Sequence, residues 1–428
     1  MTTTTTMTTM TTTVLPVRIR SYATNAARRL LASEPLNYEA HCAVYGGLSY
    51  LDGEQIILAA ELAGLRGHGG AAFPTHRKLS AVREAARRGR RRAVVVANGS
   101  EGEPASAKDK TLMSLAPHLV LDGLALAAAA VGADRAFLTV EAGHGLGRYL
   151  TEVSRQRPAP TVPVTIVEVP QRFLSGQETA LVSFLDGGAA RPRFQIRPVY
   201  EHGVGGAPTL VQNVETLAHL ALIARHGPGW YRAGAATSLF TVRHADGTPT
   251  VVEAMPSTPV RQLVNTDTDT VPHPGSSQAV LIGGYHGTWL PWADAASSSL
   301  ETLGVPLGAG MLAVLPHDRC GLIETASILR YPALESAGQC GPCLNGLPRM
   351  ASAFAELAHP TPRTDFRQIH TDLSRWAGLI TGRGACRHPD GSARLAHSAL
   401  TTFAREADAH ARGRCTAPGR PPMLPVGK

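Results

Sequence analysis

Aromatic residues are scarce in this sequence, at 5%, too few for a surface that stacks successive nucleic-acid bases. No apolar stretch reaches the roughly 18 residues needed to cross a bilayer. The nearest, residues 119–133, is interrupted by Asp122. Direct membrane insertion is therefore not expected. The first thirteen residues, MTTTTTMTTMTTT, lack the positive charge and apolar core of a signal peptide. They read as a disordered threonine-rich tail over residues 1–20, and the chain as cytoplasmic. Six cysteines in 428 residues are too sparse for a disulfide scaffold, so they read as free thiols or metal ligands. No zinc-finger, homeodomain or RNA-recognition signature accompanies the net charge of +8, and no nucleic-acid partner is expected. Much of that charge sits in REAARRGRRR, residues 83–92. This run reads as a solvated helix end, or as a docking face for an acidic protein.

What is present is ordinary globular composition, 43% hydrophobic and 17% charged, with length for two to four domains. After a short basic helix expected at residues 25–33, EQIILAAELAGL has apolar residues at helical spacing. The glycine-dense GLRGHGGAAFPTHRK follows. AVVVA at residues 93–97 is the continuous apolar run of a fully buried strand. Helical and extended segments then alternate, which predicts a three-layer α/β domain over residues 21–235. From Ser238 short alternating strands predict a small second domain over 236–316. The remainder reads as a helical domain over 317–412 with the cysteines on its loops, then a flexible tail over 413–428.

Several stretches carry candidate chemistry. The glycine loop superficially fits a dinucleotide fingerprint, but a helix precedes it where that fingerprint needs a strand. Its glycines still let backbone N–H groups approach a phosphate, and Arg66 and Lys78 supply positive charge. NGSEGEPASAKD follows the buried strand directly, where ligands gather in α/β sheets. There Asn98, Glu101 and Glu103 are candidate hydrogen-bonding groups for a ring system or ribose. GQETAL at 176–181 and GGAPTLVQNVETL at 205–217 each run into a helix. Cys340 and Cys343 form Cys-Gly-Pro-Cys, and Cys386 lies further on in GRGACRHPDG. A dithiol redox pair, a zinc site with His388 and an iron–sulfur site all remain open from these residues alone.

In combination these stretches resemble the NADH-oxidising flavoprotein subunit of respiratory complex I and the diaphorase subunits of soluble hydrogenases and formate dehydrogenases. The resemblance covers roughly residues 40 to 415. Where the family reads GLRGRGGAGFPTGxKW, this chain has GLRGHGGAAFPTHRKL. NxDExEPGxxKDR is matched by NGSEGEPASAKDK, GEETAL by GQETAL, and PTxxNNVET by PTLVQNVET. Residues 238–315 resemble the family's SLBB domain, a small β-grasp-like module. ESCGxCxPCR corresponds to ESAGQCGPCL, and the later lone cysteine aligns with Cys386.

The resemblance implies FMN, NAD(H) and an iron–sulfur cluster, with electrons passing from NAD(P)H to the flavin, then singly to the cluster and to a separate electron carrier of ferredoxin or 2Fe-2S type. It implies that Gly64, Arg66, Gly67, Gly69 and Lys78 hold the flavin phosphate end. It implies that Asn98, Glu101, Gly176, Glu178 and Asn213 line the flavin, and that Phe73, Glu103 and Phe194 meet NADH. Cys340, Cys343 and Cys386 would be cluster ligands. Four departures stand out. Ser100 and Gln177 replace acids of the family, Gln212 replaces an asparagine, and Ala337 occupies the first cluster-cysteine position. Losing two negative charges beside a flavin should favour its reduced, anionic forms. Alanine has no donor atom, so three outcomes follow: a [4Fe-4S] cluster with a non-cysteine fourth ligand, a [3Fe-4S] cluster, or no cluster. In the last case the chain would be a degenerate scaffold that binds some other ligand.

Overall fold

A computed structural model describes residues 8–11, 16–21, 30–32, 34–48, 50–194, 196–264, 277–417 and 419–426. The basic helix expected at 25–33 falls largely outside these residues. The chain forms two units. The first takes residues 1–102, 107–239 and 253–255, and the second residues 103–106, 240–252 and 256–428.

The first unit opens with strands β1 (Thr8–Thr11) and β2 (Pro16–Ser21), paired antiparallel with Thr8 opposite Ile19. An unordered tail was expected over 1–20. Threonine, valine and isoleucine are β-branched and favour extended backbone, and Val17 and Ile19 are buried. Then come α1 (Tyr38–Tyr45), α2 (Gly53–Ala63), α3 (Thr75–Gly89), β3 (Ala93–Gly99), α4 (Lys108–Leu115) and α5 (Pro117–Val131). β4 (Ala133–Glu141), α6 (Leu146–Arg155), β5 (Val164–Val169), α7 (Glu178–Leu185), β6 (Thr209–Asn213) and α8 (Val214–Trp230) complete it.

Its central sheet is wholly parallel, in the order β5-β4-β3-β6. Parallel strands need cover on both faces, which is why residues 93–97 are apolar without alternation and fully buried. Val94 and Val96 of β3 and Val211 of β6 pack with Leu181 and Val182 of α7 and with Val199 and Val204. α5 and α8 pack together as a second helical layer and touch β3. This is the expected three-layer arrangement. α2 begins at an Asp52/Gln55 capping box and stops at Gly64, whose left-handed backbone (φ 68°) closes the helix.

Asp122 on α5 ties four parts of this unit together. Its carboxylate takes His41 of α1 at 2.8 Å, Arg157 after α6, and Arg225 of α8. Burial alone would raise its pKa, but these three partners hold it well below the ordinary carboxylate range.

The second unit carries β7 (Ser238–Arg243), β8 (Pro249–Ala254), α9 (Val260–Val264), β9 (Ser277–Ile282), β10 (Thr288–Pro291), α10 (Trp292–Ala295), α11 (Leu300–Leu303) and β11 (Met311–Pro316). Its helices are α12 (Gly321–Leu334), α13 (Leu347–Ala358), α14 (Phe366–Ile380), α15 (His388–Thr402) and α16 (Ala404–Ala411). Strands run in the order β8-β7-β11-β9-β10, with β11 parallel to β7 and antiparallel to β9. The first and last strands of the module thus lie together at its centre, in a β-grasp-like order.

A domain boundary was expected between residues 316 and 317, yet strands and helices share this unit. Trp289 of β10 packs edge-on against Phe403, with centroids 5.2 Å apart. Its backbone N–H also donates to Ser398 of α15 at 3.0 Å. Part of the segment from residue 413, expected as a flexible tail, hydrogen-bonds within this unit. The buried Glu324 carboxylate accepts the backbone N–H groups of Met423 and Leu424, each at 2.9 Å. Among the described residues no single helix is long and apolar enough to cross a membrane. The apolar bent pair α4 and α5 is buried in the core.

α5 passes close to the backbone of α8 at Gly123. A Cβ there would lie 1.9 Å from the Leu217 carbonyl oxygen. Gly123→Ala must therefore separate the two helices. It should cost about 1–3 kcal/mol, read as a lowered urea midpoint with an unchanged slope.

Candidate functional site

The glycine loop joins two helices. Gly64 ends α2, and Lys78 lies in the first turn of α3. Between them the loop folds back on itself. Gly67 N–H donates to the Phe73 carbonyl at 2.9 Å, Arg66 bridges to Pro74, and Thr75 N–H donates to Leu65 at 2.9 Å. No side chain caps the start of α3, so N–H groups and the positive end of a helix dipole remain there for an anion. Lys78 Nζ donates to the Val211 carbonyl of β6 at 2.7 Å and pairs with Glu178 at 2.8 Å. An ammonium has three protons, so one stays available beside that helix start.

The other predicted residues gather at the carboxyl edge of the same sheet. Asn98 closes β3 and joins two loops: its amide donates to Gly176 O at 2.8 Å, and its oxygen accepts Ser100 N–H at 3.1 Å. The loops touch so closely that a Cβ on Gly176 would sit 2.7 Å from Ser100 O. Glu101, expected to face a ligand, accepts the backbone N–H groups of Asp109 and Lys110 at 3.2 Å each. Asn213 caps α8 through Glu215 N–H and donates to Asp109 at 2.7 Å. A Cβ at Gly69 would lie 3.3 Å from the Asn213 side chain. Asn98, Glu101 and Asn213 thus spend much of their hydrogen-bonding capacity holding the loops. Gln177 caps α7 by accepting Thr179 and Ala180 N–H, a role its neutral amide oxygen fills. Ser100 and Ser175 hydroxyls are buried without a hydrogen-bond partner among the described residues. Both adjoin this loop cluster, so polar groups at the site stand ready for a polar ligand.

Phe73 and Phe194 are largely exposed, at 52% and 79%. The chain at Arg193 is tethered to Thr179 in the first turn of α7 at 2.9 Å. Glu103 belongs to the second unit, where it accepts Tyr285 N–H at 2.8 Å. The basic run ends α3 and precedes β3. It therefore lies at the amino edge of the sheet, about 20 Å along the seven-residue β3 from the gathered loops.

Sequence reasoning missed the buried charges beneath the loops. Lys108 Nζ lies 2.7 Å from both Asp109 and Glu215, and all three are buried. Glu215 also takes His68 at 3.0 Å and Leu239 N–H at 2.8 Å. His68, where the family has arginine, stacks on His219 with centroids 4.6 Å apart. Burial would discharge Lys108, but Asp109 and Glu215 hold it protonated, above its ordinary value. Burial pushes Asp109 up to about 6 despite Lys108. Glu215 is likewise opposed by burial, but Lys108 and His68 hold it below its ordinary range. The signal was present: Lys108 and Asp109 lie in NGSEGEPASAKDK, and Glu215 in PTLVQNVET.

In the second unit Cys340, Cys343 and Cys386 form one group. The Cys340 and Cys343 thiols are hydrogen-bonded, and Cys386 acts electrostatically on Cys343. Burial would raise Cys340, but backbone N–H groups of Ala385 and Cys343 hold it below its ordinary value. Burial and Cys340 push Cys343 up to about 11, while Gly338 N–H opposes the rise. Burial raises Cys386, against a backbone bond from His388. Three sulfurs that receive backbone N–H bonds are donors of the kind that hold an iron–sulfur cluster. The buried Ala337 offers no fourth donor. Cys320 and Cys415 do not replace it, for they lie together in a separate group with Glu406 and His410.

Family models match both regions. Residues 60–222 match the Nuo51 FMN-binding domain, and residues 324–410 the NADH-ubiquinone oxidoreductase-F iron-sulfur binding region. The NADH-quinone oxidoreductase F 1 subunit of Rhizobium meliloti (strain 1021) is 30% identical over 328 residues, 68% of this chain and 72% of that protein. The chain belongs to the family of NADH-quinone oxidoreductase F subunits. The F 2 subunit of the same organism is 28% identical over 390 residues, 84% of this chain and 90% of that protein. A crystal structure of NAD+-reducing [NiFe]-hydrogenase in the H2-reduced state superposes with TM-score 0.74 and 28% identity. It covers 84% of this chain, which spans 63% of that hydrogenase chain. The two matched segments contain the glycine loop with its partners and the three-thiol group. The β7–β11 sheet lies between them in sequence.

Lys108→Met should leave two buried carboxylates without their cation, costing about 3–5 kcal/mol. The Asp109 pKa is raised on folding, so its stabilising contribution is greatest at acid pH and is lost as pH rises through about 6. Melting temperatures of the full chain should show this decline between about pH 4 and 6, and Asp109→Asn should abolish it.

Proposed function

We propose that the chain is an electron-transfer subunit that oxidises NADH through FMN and passes electrons through an iron–sulfur cluster to a separate carrier protein. The observation that carries this reading is the convergence, at one edge of a parallel sheet, of the uncapped α3 start, Lys78 and the unpartnered Ser100 and Ser175 hydroxyls. That convergence lies within the segment matching an FMN-binding family model. Bound FMN supplies the exchange between a two-electron hydride donor and a one-electron acceptor.

In this reading the α3 start and Lys78 hold the flavin phosphate, with Gly67 and Gly69 keeping that approach clear of side chains. Asn98, Glu101 and Asn213 act as positioning residues that fix the loops lining the flavin. Phe73 and Phe194 offer exposed apolar faces to the nicotinamide nucleotide. Cys340, Cys343 and Cys386 would hold the cluster, with no protein donor supplied at position 337. The β7–β11 sheet is the SLBB-type module. The carrier is a small iron–sulfur protein. The basic run at residues 83–92 acts through long-range attraction of an acidic partner rather than as part of the flavin site.

Anaerobically purified protein reconstituted with FMN should show flavin absorbance that NADH bleaches, and should contain iron and acid-labile sulfide. Colourless protein with no flavin uptake would end this reading. Lys78→Ala should weaken FMN binding about tenfold or more, the value of roughly 1.5–3 kcal/mol for a charge-assisted bond. A cluster held by three thiolates exposes one iron to solvent, so air should strip iron from the wild type. Ala337→Cys should slow that loss, followed as bleaching of the brown chromophore.

A further inference from the structure

A second group of metal-binding side chains closes the end of the chain, apart from the flavin loops and the three-thiol group. Cys320 is the residue before α12. Glu406 and His410 stand one turn apart on α16. Cys415 follows after Gly413, whose positive φ of 71° turns the chain back so that Gly413 N–H meets His410 O and Arg414 N–H meets Ala409 O. Four residues from two distant parts of the sequence thus converge. Cys320 Sγ lies 3.5 Å from His410 Nε2 and 3.6 Å from Glu406 Oε1. His410 Nε2 and Glu406 Oε1 are 3.0 Å apart. With Cys415 Sγ, all four donor atoms lie within 4.8 Å of one another.

We propose that Cys320, Glu406, His410 and Cys415 bind a single structural zinc ion. A tetrahedral zinc with bonds of about 2.3 Å to sulfur and about 2.0 Å to nitrogen or oxygen places its sulfur and nitrogen ligands roughly 3.5 Å apart, and nitrogen and oxygen about 3.3 Å apart. The three edges among Cys320, Glu406 and His410, at 3.6, 3.5 and 3.0 Å, lie close to these values. The imidazole is oriented for the role. His410 Nδ1 lies 2.9 Å from the Leu357 carbonyl, which can only accept, so Nδ1 carries the proton. In the neutral ring the Nε2 lone pair then faces the other three donors. A backbone carbonyl behind a ligating histidine is a common supporting contact at metal sites. Glu406 is oriented in turn by Thr416, whose backbone N–H it accepts at 3.0 Å.

The donor set selects the ion. Two thiolates and an imidazole disfavour magnesium and calcium, which take oxygen ligands. All four donor atoms lie within 4.8 Å of one another, which suits one ion rather than the more widely spread ligands of an iron–sulfur cluster. Four protein donors leave no open position, so the ion is structural rather than catalytic. Cys320, Glu406 and His410 are buried, whereas Cys415 is half-exposed and offers the entry path. Such an ion joins the start of α12, the end of α13 at Leu357 and the last helix. α12 and α13 flank the loop that carries Cys340 and Cys343. The inference does not depend on the flavin reading. The alternative for the same contacts is a metal-free ion pair between a doubly protonated His410 and Glu406.

The test uses the full chain with the other thiol group removed, as Cys340→Ser/Cys343→Ser/Cys386→Ser, expressed with zinc supplied. Metal analysis should give one zinc per chain, and X-ray absorption should show two sulfur and two nitrogen or oxygen neighbours. Adding Cys320→Ser and Cys415→Ser should abolish the zinc. In the otherwise wild-type chain, Cys415→Ser alone should lower zinc affinity at least tenfold in chelator competition. A triple variant with no zinc, or one whose zinc lacks sulfur neighbours, overturns the proposal in favour of the ion pair, and so does zinc that persists after Cys320→Ser/Cys415→Ser.

Discussion

Lys108 is buried between two carboxylates, and the first unit depends on that arrangement. A lone ammonium in a protein interior costs several kcal/mol, so it persists only where fixed anions compensate it. Asp109 and Glu215 do this at 2.7 Å each. Each then recruits a further element. Asp109 takes Asn213 at the end of β6, and Glu215 takes His68 of the glycine loop and the backbone of Leu239. Three separate sequence motifs are therefore held in register by one cation. Loops at a sheet edge are normally the mobile part of an α/β fold. Here their bases are fixed by charge, while the surfaces above remain open to a ligand.

That division explains what could be read in advance. The three-layer arrangement was legible because AVVVA has no polar alternation, and only a strand covered on both faces tolerates that. The glycine loop was read as an anion site from its glycines and the charge of Arg66 and Lys78, and the uncapped helix start at Thr75 supports that reading. The roles of Asn98, Glu101 and Asn213 were not legible in the same way. A polar residue after a strand can face a ligand or cap a neighbouring helix, and the sequence contains nothing that separates the two. The structure places much of their bonding capacity on backbone N–H groups.

The C-terminal segment shows what composition leaves out. Residues 413–428 are rich in proline, glycine and arginine, which is the composition of a loose tail. Composition reports only what a segment can bury by itself. It does not report a carboxylate waiting elsewhere, and Glu324 accepts two backbone N–H groups from that segment. Cys320 and Cys415 pose the same problem. Separated by 95 positions in sequence, they become a pair only when α16 and the turn at Gly413 are in place.

Ala337 bears on how the second unit keeps its electron-transfer chemistry. The backbone bonds that the three thiols receive come from residues outside position 337: Ala385, Cys343, Gly338 and His388. Loss of the first cysteine therefore removes one iron ligand but none of these bonds. N–H bonds to sulfur stabilise the more negative charge state and so raise a reduction potential. Ala337 itself stands where the family has a thiolate, so that position contributes no negative charge. Ser100 and Gln177 in the first unit likewise stand where the family has acids. Fewer fixed negative charges oppose the arrival of an electron less, so the substitutions in the two units act in one electrostatic direction.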